Sequence, residues 1–275
     1  MSTSTTSKVA IITGAESGIG RQIAYELAER GYDIGATWFD SQEEGQKVCE
    51  RVRAMGRRAE LLHLDLTVLP DSESLVDDFI KLFGDLDLLV NCAGVGRRGT
   101  ILEIDWNDWR RTFSICVDGP FLLSQRACKH WVAHNRPGVI INITSVHEHT
   151  PHPRSMAYNS AKHALGGMTK TLAVDMAKYG IRCVAVAPGM IATASNGMDE
   201  DKSFEYLVRG LPAQRPGHPR EIAKLVAFLA SEDAGYITGT SFAVDGGFLV
   251  TNAQFPPPGL QVEEGGKEVP HPPWH

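Results

Sequence analysis

Short apolar runs alternate along the chain with longer stretches of helical spacing. Lys8 to Thr13 is a β-branched run that ends in glycines. From Gly18 to Arg30, Ile19, Ile23, Ala24 and Leu27 fall on one stripe, and Gly31 stops the helix. The same pattern predicts strands at Asp33–Trp38, Ala59–Leu64, Leu86–Val90, Val139–Thr144, Arg182–Ala187 and Ser241–Val244. It predicts helices at Gln42–Met55, Ser72–Phe83, Asp105 to about Ala133, Ser155–Tyr179 and Arg220–Ser231, with a kink near Gly119-Pro120. Strands separated by helices of this length cannot be hairpins. They imply right-handed βαβ units and an α/β, doubly wound parallel sheet with helices on both faces. The near-continuous apolar strands Leu88-Leu89-Val90 and Val139-Ile140-Ile141 fit a sheet buried on both sides.

Composition narrows the class. The 275 residues are 43% hydrophobic and 22% charged, and the net charge is −6. That balance argues against a protein that grips nucleic acid through a basic face. No apolar run approaches the ~20 residues that span a bilayer. The Ser/Thr-rich start, Met1 to Lys8, lacks the apolar segment of a secretory signal. Cys49, Cys92, Cys116, Cys128 and Cys183 form no CxxC and read as reduced thiols in a cytoplasmic protein. We expect a single catalytic domain over residues 1–250 and a Pro-rich tail over 251–275. Pro256 to His275 holds six of the 15 prolines and has too little apolar material for a core of its own. The tail is either flexible or an arm that docks on a neighbouring subunit through Trp274.

Thr13-Gly14-Ala15-Glu16-Ser17-Gly18-Ile19-Gly20 lies between the first strand and the first helix. Glycines there let the backbone take positive φ and approach a ligand closely. The helix start offers unpaired N–H groups and a positive dipole end to a pyrophosphate. The spacing is TGxxxGxG, not the GxGxxG of other dinucleotide folds.

Further motifs follow in order: Leu64-Asp65-Leu66, Asn91-Cys92-Ala93-Gly94, Ser145, Tyr158-Asn-Ser-Ala-Lys162 and Pro188-Gly189-Met-Ile191-Ala-Thr193. Over about residues 8 to 250 the chain resembles the short-chain dehydrogenase/reductase family in its single-domain branch. The resemblance implies a seven-stranded Rossmann sheet, nicotinamide cofactor use, and homodimers or homotetramers formed through the two long central helices.

Tyr158 and Lys162 are four apart on a predicted helix and so share a face. A free tyrosine titrates near 10 and is a poor base at neutral pH. An ammonium ~4 Å away, at an effective dielectric of ~20, favours the phenolate by up to ~4 kcal/mol. Tyr158 then serves as general acid in reduction and base in oxidation. Ser145 ends a strand and is expected to hold the same substrate oxygen. In the family the lysine also holds the nicotinamide ribose, and enoyl-reducing relatives separate the tyrosine and lysine further. One position departs from the family pattern. Cys116 stands where an asparagine usually supports a proton-relaying water. Since a thiol is a weak donor and acceptor, a non-catalytic sensor or scaffold of the same fold is the alternative function.

For the cofactor, the resemblance assigns Gly14, Ser17, Gly18, Ile19 and Gly20 to the phosphate turn. Asp65 is assigned to the adenine, with Leu66 beside it, and Asn91, Ala93 and Gly94 to the cofactor border. Pro188, Gly189, Ile191 and Thr193 are assigned to the nicotinamide. Phe39 and Asp40 follow Trp38, which occupies the position where NAD-preferring relatives carry aspartate. With no base in this stretch or in the glycine turn, and with Asp40 present, the sequence tilts towards NAD over NADP. His147, His149 and His152 follow Ser145 on a Pro-interrupted loop that does not promise metal geometry. His147 is assigned to the substrate pocket with Ser145 and Tyr158; Arg97 and Arg98 are further candidates, and no metal is expected. Residues 194–215 read as a mobile flap. The expectation is an enzyme interconverting an alcohol and a ketone by hydride transfer on a small polar carbonyl, polyol or sugar.

Overall fold

The computed structural model describes residues 7–251, 261–264 and 267–268. The chain runs β1 (Val9–Ile12), α1 (Gly18–Glu29), β2 (Asp33–Trp38), α2 (Gln42–Ala54), β3 (Ala59–His63), α3 (Leu75–Phe83) and β4 (Leu88–Asn91). It continues through α4 (Trp106–Phe113), α5 (Gly119–Ala133), β5 (Gly138–Ile143), α6 (Met156–Met176), β6 (Ile181–Pro188), β7 (Tyr206–Arg209), α7 (Pro219–Ala230) and β8 (Ser241–Val244). Two short strands follow, β9 (Gln261–Glu264) and β10 (Lys267–Glu268).

Seven strands form one sheet in the order β3-β2-β1-β4-β5-β6-β8. Every pairing within it is parallel. The period-two alternation of β1 explains why helices cover both faces. Ala10 and Ile12 join Ile23, Leu27, Val48, Ile222 and Val226 from α1, α2 and α7. Val9 and Ile11 join Val76, Phe79, Leu123 and Trp131 from α3 and α5. Trp131 is fully buried and donates its indole N–H to the Leu86 carbonyl at 2.7 Å. A Cβ on Gly138 would lie 2.2 Å from its ring, so β5 begins with the residue that lets the indole lie flat against the strand.

The strand order reverses at β1. The chain moves outward through β2 and β3, then returns so that β4 pairs with β1 on its other side. Open α/β sheets bind ligands beyond the carboxyl ends of the two strands at such a reversal. The glycine-rich turn after β1 and the Asn91–Gly94 segment after β4 both lie there.

Three local differences from the sequence reading have physical causes. Ser72–Ser74 belongs to a 3₁₀ turn, so α3 begins only at Leu75. The Asp105–Ala133 helix is interrupted by a π-helical turn at Ser114–Asp118, just before the expected kink. The tail is the largest difference. β9 pairs antiparallel with β7, and β10 turns back onto β9. A ladder of backbone hydrogen bonds needs no core of its own when it borrows an exposed edge. Trp274 lies outside the described residues.

Candidate active site

The turn after β1 is over-determined by its neighbours. The Thr13 hydroxyl accepts the N–H groups of Cys92 and Ala93, both at 2.9 Å, which ties β1 to the end of β4. Gly14 donates to the Thr37 hydroxyl at 3.0 Å and Ala15 to the Thr37 carbonyl at 3.0 Å, which ties the turn to β2. Gly14 has φ +66°, and a Cβ there would meet the Ala93 backbone at 3.1 Å. Gly18 has φ +50° and faces the Thr193 methyl. A Cβ on Gly20 would sit 2.1 Å from the Gly14 carbonyl oxygen. Ser17 is the N-cap of α1, yet its side chain makes no capping hydrogen bond. The first N–H groups of α1 therefore keep no intrahelical or capping partner. A positive helix end in a cradle too tight for a Cβ fits a dinucleotide pyrophosphate.

Tyr158 and Lys162 lie one turn apart at the start of α6. Lys162 is 3% exposed, and its Nζ donates to the Ile143 carbonyl at 2.8 Å. That Nζ lies 5.5 Å from the centre of the Tyr158 ring. Burial pulls the lysine pKa down, but the facing Tyr158, Cys116, Cys92 and Glu148 outweigh it and hold the value above the ordinary range. Ser145 lies two residues past β5 in extended conformation, 7% exposed, and its hydroxyl accepts the His147 N–H at 3.1 Å. Close passage of the β4 loop completes the arrangement. A Cβ on Gly94 would lie 3.5 Å from Lys162 Nζ, and one on Gly96 would lie 2.8 Å from the Tyr158 ring.

His147 borders this group. Its Nδ1 lies 3.1 Å from the Thr150 carbonyl, which only accepts, so Nδ1 carries the proton. Burial lowers its pKa; the Thr150 carbonyl opposes this, and His152, Arg98 and His163 reinforce it. Its ring stands edge-on to Tyr158 at 6.3 Å and to Phe248 at 6.4 Å. His152 lies beside it at 5.3 Å, whereas His149 turns away to Ser241 on β8 at 3.4 Å. Among the described residues no three His, Cys, Asp or Glu side chains gather as a metal would require. Arg97 is taken up by Asp108 at 2.8 Å, and Arg98 is half-buried near Arg154.

The other sequence candidates divide by what their side chains already do. The Asn91 amide donates to Ser124 and to Asn142 across the β4–β5 ladder, so its side chain is already taken up inside the fold. Asp65 accepts the N–H and hydroxyl of Thr67; burial raises its pKa, but these bonds prevail and hold it below the usual range. Leu66 is buried against Gly119, and its carbonyl accepts the Ser114 hydroxyl. Ile19 is half-buried in α1 beside the core. Pro188 ends β6, and a Cβ on Gly189 would meet the Asp245 backbone at 2.7 Å. Ile191 bridges Gly217, and Thr193 is 6% exposed over the start of α1. Phe39 and Asp40 are exposed at the end of β2. Cys116 is fully buried in the π turn, its thiol 3.4 Å from the Val95 carbonyl.

The comparisons with known proteins agree with this geometry. A family model described as "Enoyl-(Acyl carrier protein) reductase" matches residues 14–249. A solved structure titled acetoin dehydrogenase, from Enterobacter cloacae, is 49% identical with a TM-score of 0.86, covering 92% of this chain and all of that one. The protein named "Uncharacterized oxidoreductase YohF" from Escherichia coli K12 is 46% identical over 250 residues, 91% of this chain and 99% of its own. A Serratia marcescens short-chain dehydrogenase/reductase structure is 33% identical with a TM-score of 0.79, covering 88% and 97% of the two chains.

The chain belongs to the short-chain dehydrogenase/reductase family. It is an oxidoreductase that interconverts an alcohol and a ketone with NAD(P) as cofactor. The non-catalytic alternative finds no support among the relatives.

Several residues of this dehydrogenase escaped the sequence reading. Gly96 sits in the run Gly94-Val95-Gly96, a signal that was available. Thr37 and Asn142 are polar residues in apolar strands, and each is buried with a partner. Glu148 is 7% exposed, accepts the Ser241 hydroxyl at 2.9 Å, and packs where Gly166 of α6 leaves room. Phe248 becomes a neighbour of His147 only because the chain folds back after β8.

Proposed function

We propose that this dehydrogenase interconverts a short vicinal hydroxyketone and its oxidised or reduced partner, with NAD(H) as the preferred cofactor. Residues up to 250 work as one catalytic unit. The substrate class is supported by the 49% identity to the Enterobacter cloacae acetoin dehydrogenase, together with the neutral His147 beside Tyr158. With Nδ1–H spent on Thr150, Nε2 offers a lone pair to a hydroxyl next to the reacting carbonyl. The four-residue spacing of Tyr158 and Lys162 favours carbonyl over enoyl chemistry.

Gly14, Ser17, Gly18, Ile19 and Gly20 hold the pyrophosphate, Asp65 and Leu66 border the adenine, and Phe39 and Asp40 border its ribose. Asn91, Ala93, Gly94, Pro188, Gly189, Ile191 and Thr193 line the nicotinamide half. When bound, the nicotinamide supplies the hydride in reduction and receives it in oxidation. The Ser145 hydroxyl donates to the substrate oxygen and fixes its position. Tyr158 gives its phenolic proton to that oxygen in reduction and removes it in oxidation. Lys162, held as an ammonium, places positive charge beside the ring of Tyr158. Cys116 leaves its main chain, shaped by the π turn, to take the part of the usual asparagine.

The dehydrogenase assembles as a homodimer or homotetramer through α5 and α6, where Phe121 and Val174 are 47% and 79% exposed. No helix among the described residues is long and apolar enough to cross a membrane. The five free cysteines fit a reducing, cytoplasmic setting.

The deciding experiment follows reduced-nicotinamide absorbance with acetoin and the corresponding diketone, against glucose as a polyhydroxy comparison. Wild type turns over the former pair. Tyr158→Phe lowers kcat by ~10²- to 10⁴-fold without weakening dinucleotide binding. Unaltered turnover in Tyr158→Phe overturns the role of the phenol; turnover of glucose alone overturns the substrate class.

A further inference from the structure

The second strand ends without the acid that reads an adenosine ribose in many dinucleotide folds. Trp38 closes β2, and its ring lies against His63 at 4.5 Å. Phe39 follows, stacked on the same imidazole at 6.0 Å. Neither ring carries a group that accepts a hydrogen bond from a hydroxyl.

A carboxylate nevertheless reaches this place from elsewhere in the chain. Glu16 lies in the glycine-rich turn, and its Oε1 accepts the main-chain N–H of Phe39 at 3.1 Å. The arrangement is built in. The turn carrying Glu16 is anchored on β2 by Gly14 and Ala15, both bonded to Thr37. The second oxygen, Oε2, is withdrawn from solvent and has no hydrogen-bond partner. A carboxylate oxygen in that state is a strong acceptor left without a donor.

We propose that Glu16 is the residue by which this dehydrogenase selects NAD(H) over NADP(H). The inference rests on the oxidoreductase reading and deepens it. The adenosine ribose of NAD(H) presents hydroxyl donors, which the Glu16 carboxylate accepts. NADP(H) presents a phosphate in place of one hydroxyl, acceptor-only and anionic. That phosphate meets a carboxylate already seated on the Phe39 N–H, the amide that would otherwise serve an anion. Like-charge juxtaposition of this kind discriminates by repulsion as much as by attraction. Neither Ala15–Ser17 nor Trp38–Ser41 contains a lysine or arginine to offset it. Asp40 adds a second negative charge, but it is exposed and therefore screened by water. The turn thus delivers across space what the end of β2 does not deliver along the chain.

Equilibrium binding of NADH and NADPH to the full-length protein, by titration calorimetry, tests this without reliance on turnover. Wild type binds NADH at least ~10-fold more tightly than NADPH, a ratio equivalent to ~1.4 kcal/mol. Glu16→Gln keeps the shape and an oxygen for the Phe39 N–H while removing the charge. In that variant NADPH tightens by about tenfold and NADH weakens by a few-fold, so the ratio collapses. Asp40→Asn shifts the ratio by less than about threefold. A cooperative thermal melt confirms that each variant is folded. A wild type that prefers NADPH, or a ratio in Glu16→Gln within twofold of wild type, overturns the assignment to Glu16 and leaves the oxidoreductase reading standing. A folded wild type that binds neither dinucleotide overturns that reading, and the proposal with it.

Discussion

The glycine-rich turn at residues 13–20 and the segment at residues 190–217 touch each other but are built differently. Hydrogen bonds from Thr13, Gly14 and Ala15 to the ends of β4 and β2 fix the turn, and its glycines stand where a Cβ has no room. In the 190–217 segment backbone bonds tie the ends, Ala192 to Gly217 at 2.9 Å, and side chains hold much of the rest. Ala192, Met198, Tyr206, Val208 and Leu211 form a small apolar cluster of their own, with Phe248 packed against it. Glu200 reaches across to Arg21 at 2.6 Å and Gln22 at 3.3 Å on α1. At its far end, Arg215 grips Glu221 through two bonds of 2.8 Å. A backbone-determined site tolerates almost no change of residue. A segment that leans on side chains can be retuned piece by piece.

The sharpest way to break this contrast is Gly20→Ala. Its new Cβ would lie 2.1 Å from the Gly14 carbonyl oxygen, and that neighbour is backbone. The turn must open, and we expect NADH affinity to fall by at least ~100-fold, or ~2.7 kcal/mol, within the cost of overpacking a tight site. Calorimetric titration of the folded variant checks it. A near-normal Kd would mean that the turn is less constrained than its bonds imply.

The same contrast explains how much was legible in the sequence. The sheet, the helices and the placing of Ser145, Tyr158 and Lys162 rest on short-range rules. Periodicity of two or near four, a glycine stop and a four-residue spacing can be read within a dozen positions. The Glu16 carboxylate at Phe39 cannot be read so, because it depends on which strand lies beside the turn. β7 was lost inside the expected flap, since four residues with Tyr206 and Val208 inward carry too little periodicity to stand out. β9 and β10 were missed because β9 pairs with β7 some fifty residues upstream, β10 follows only from β9, and their own composition is polar. The π turn at Ser114–Asp118 leaves no mark in the hydrophobic pattern at all.

Removing residues 252–275 tests the flap side with a smaller effect. β9 supplies backbone partners for Tyr206 to Arg209, and its loss frees that edge without touching the glycine turn. Cross-strand pairs are worth ~0.2–1 kcal/mol each. We expect KM for the carbonyl substrate to rise by about two- to fivefold while the NADH Kd stays unchanged. A shift in the NADH Kd with no change in KM would show that the tail serves the cofactor side.

The smallest effect lies at the seam, where His147 stands between Tyr158 and Phe248. Burial sets its folded pKa below the ordinary 6.5, with His152, Arg98 and His163 acting in the same direction against the Thr150 carbonyl. The sign follows from proton binding. As pH falls below about 6.5, the unfolded chain takes up a proton on this imidazole while the folded protein resists it. The unfolded state then binds more protons, so stability declines as pH falls, until the folded pKa is reached. His147→Gln removes that titration and leaves every other group in place. Urea midpoints measured from about pH 7.5 to 5 should fall more steeply for wild type than for the variant. In the same acid range the wild-type Nε2 gains a proton and ceases to accept, so the substrate KM should rise with no matching change in NADH affinity. Parallel stability curves would show that the imidazole is as free to ionise folded as unfolded, and the neutral acceptor beside Tyr158 would have to be abandoned.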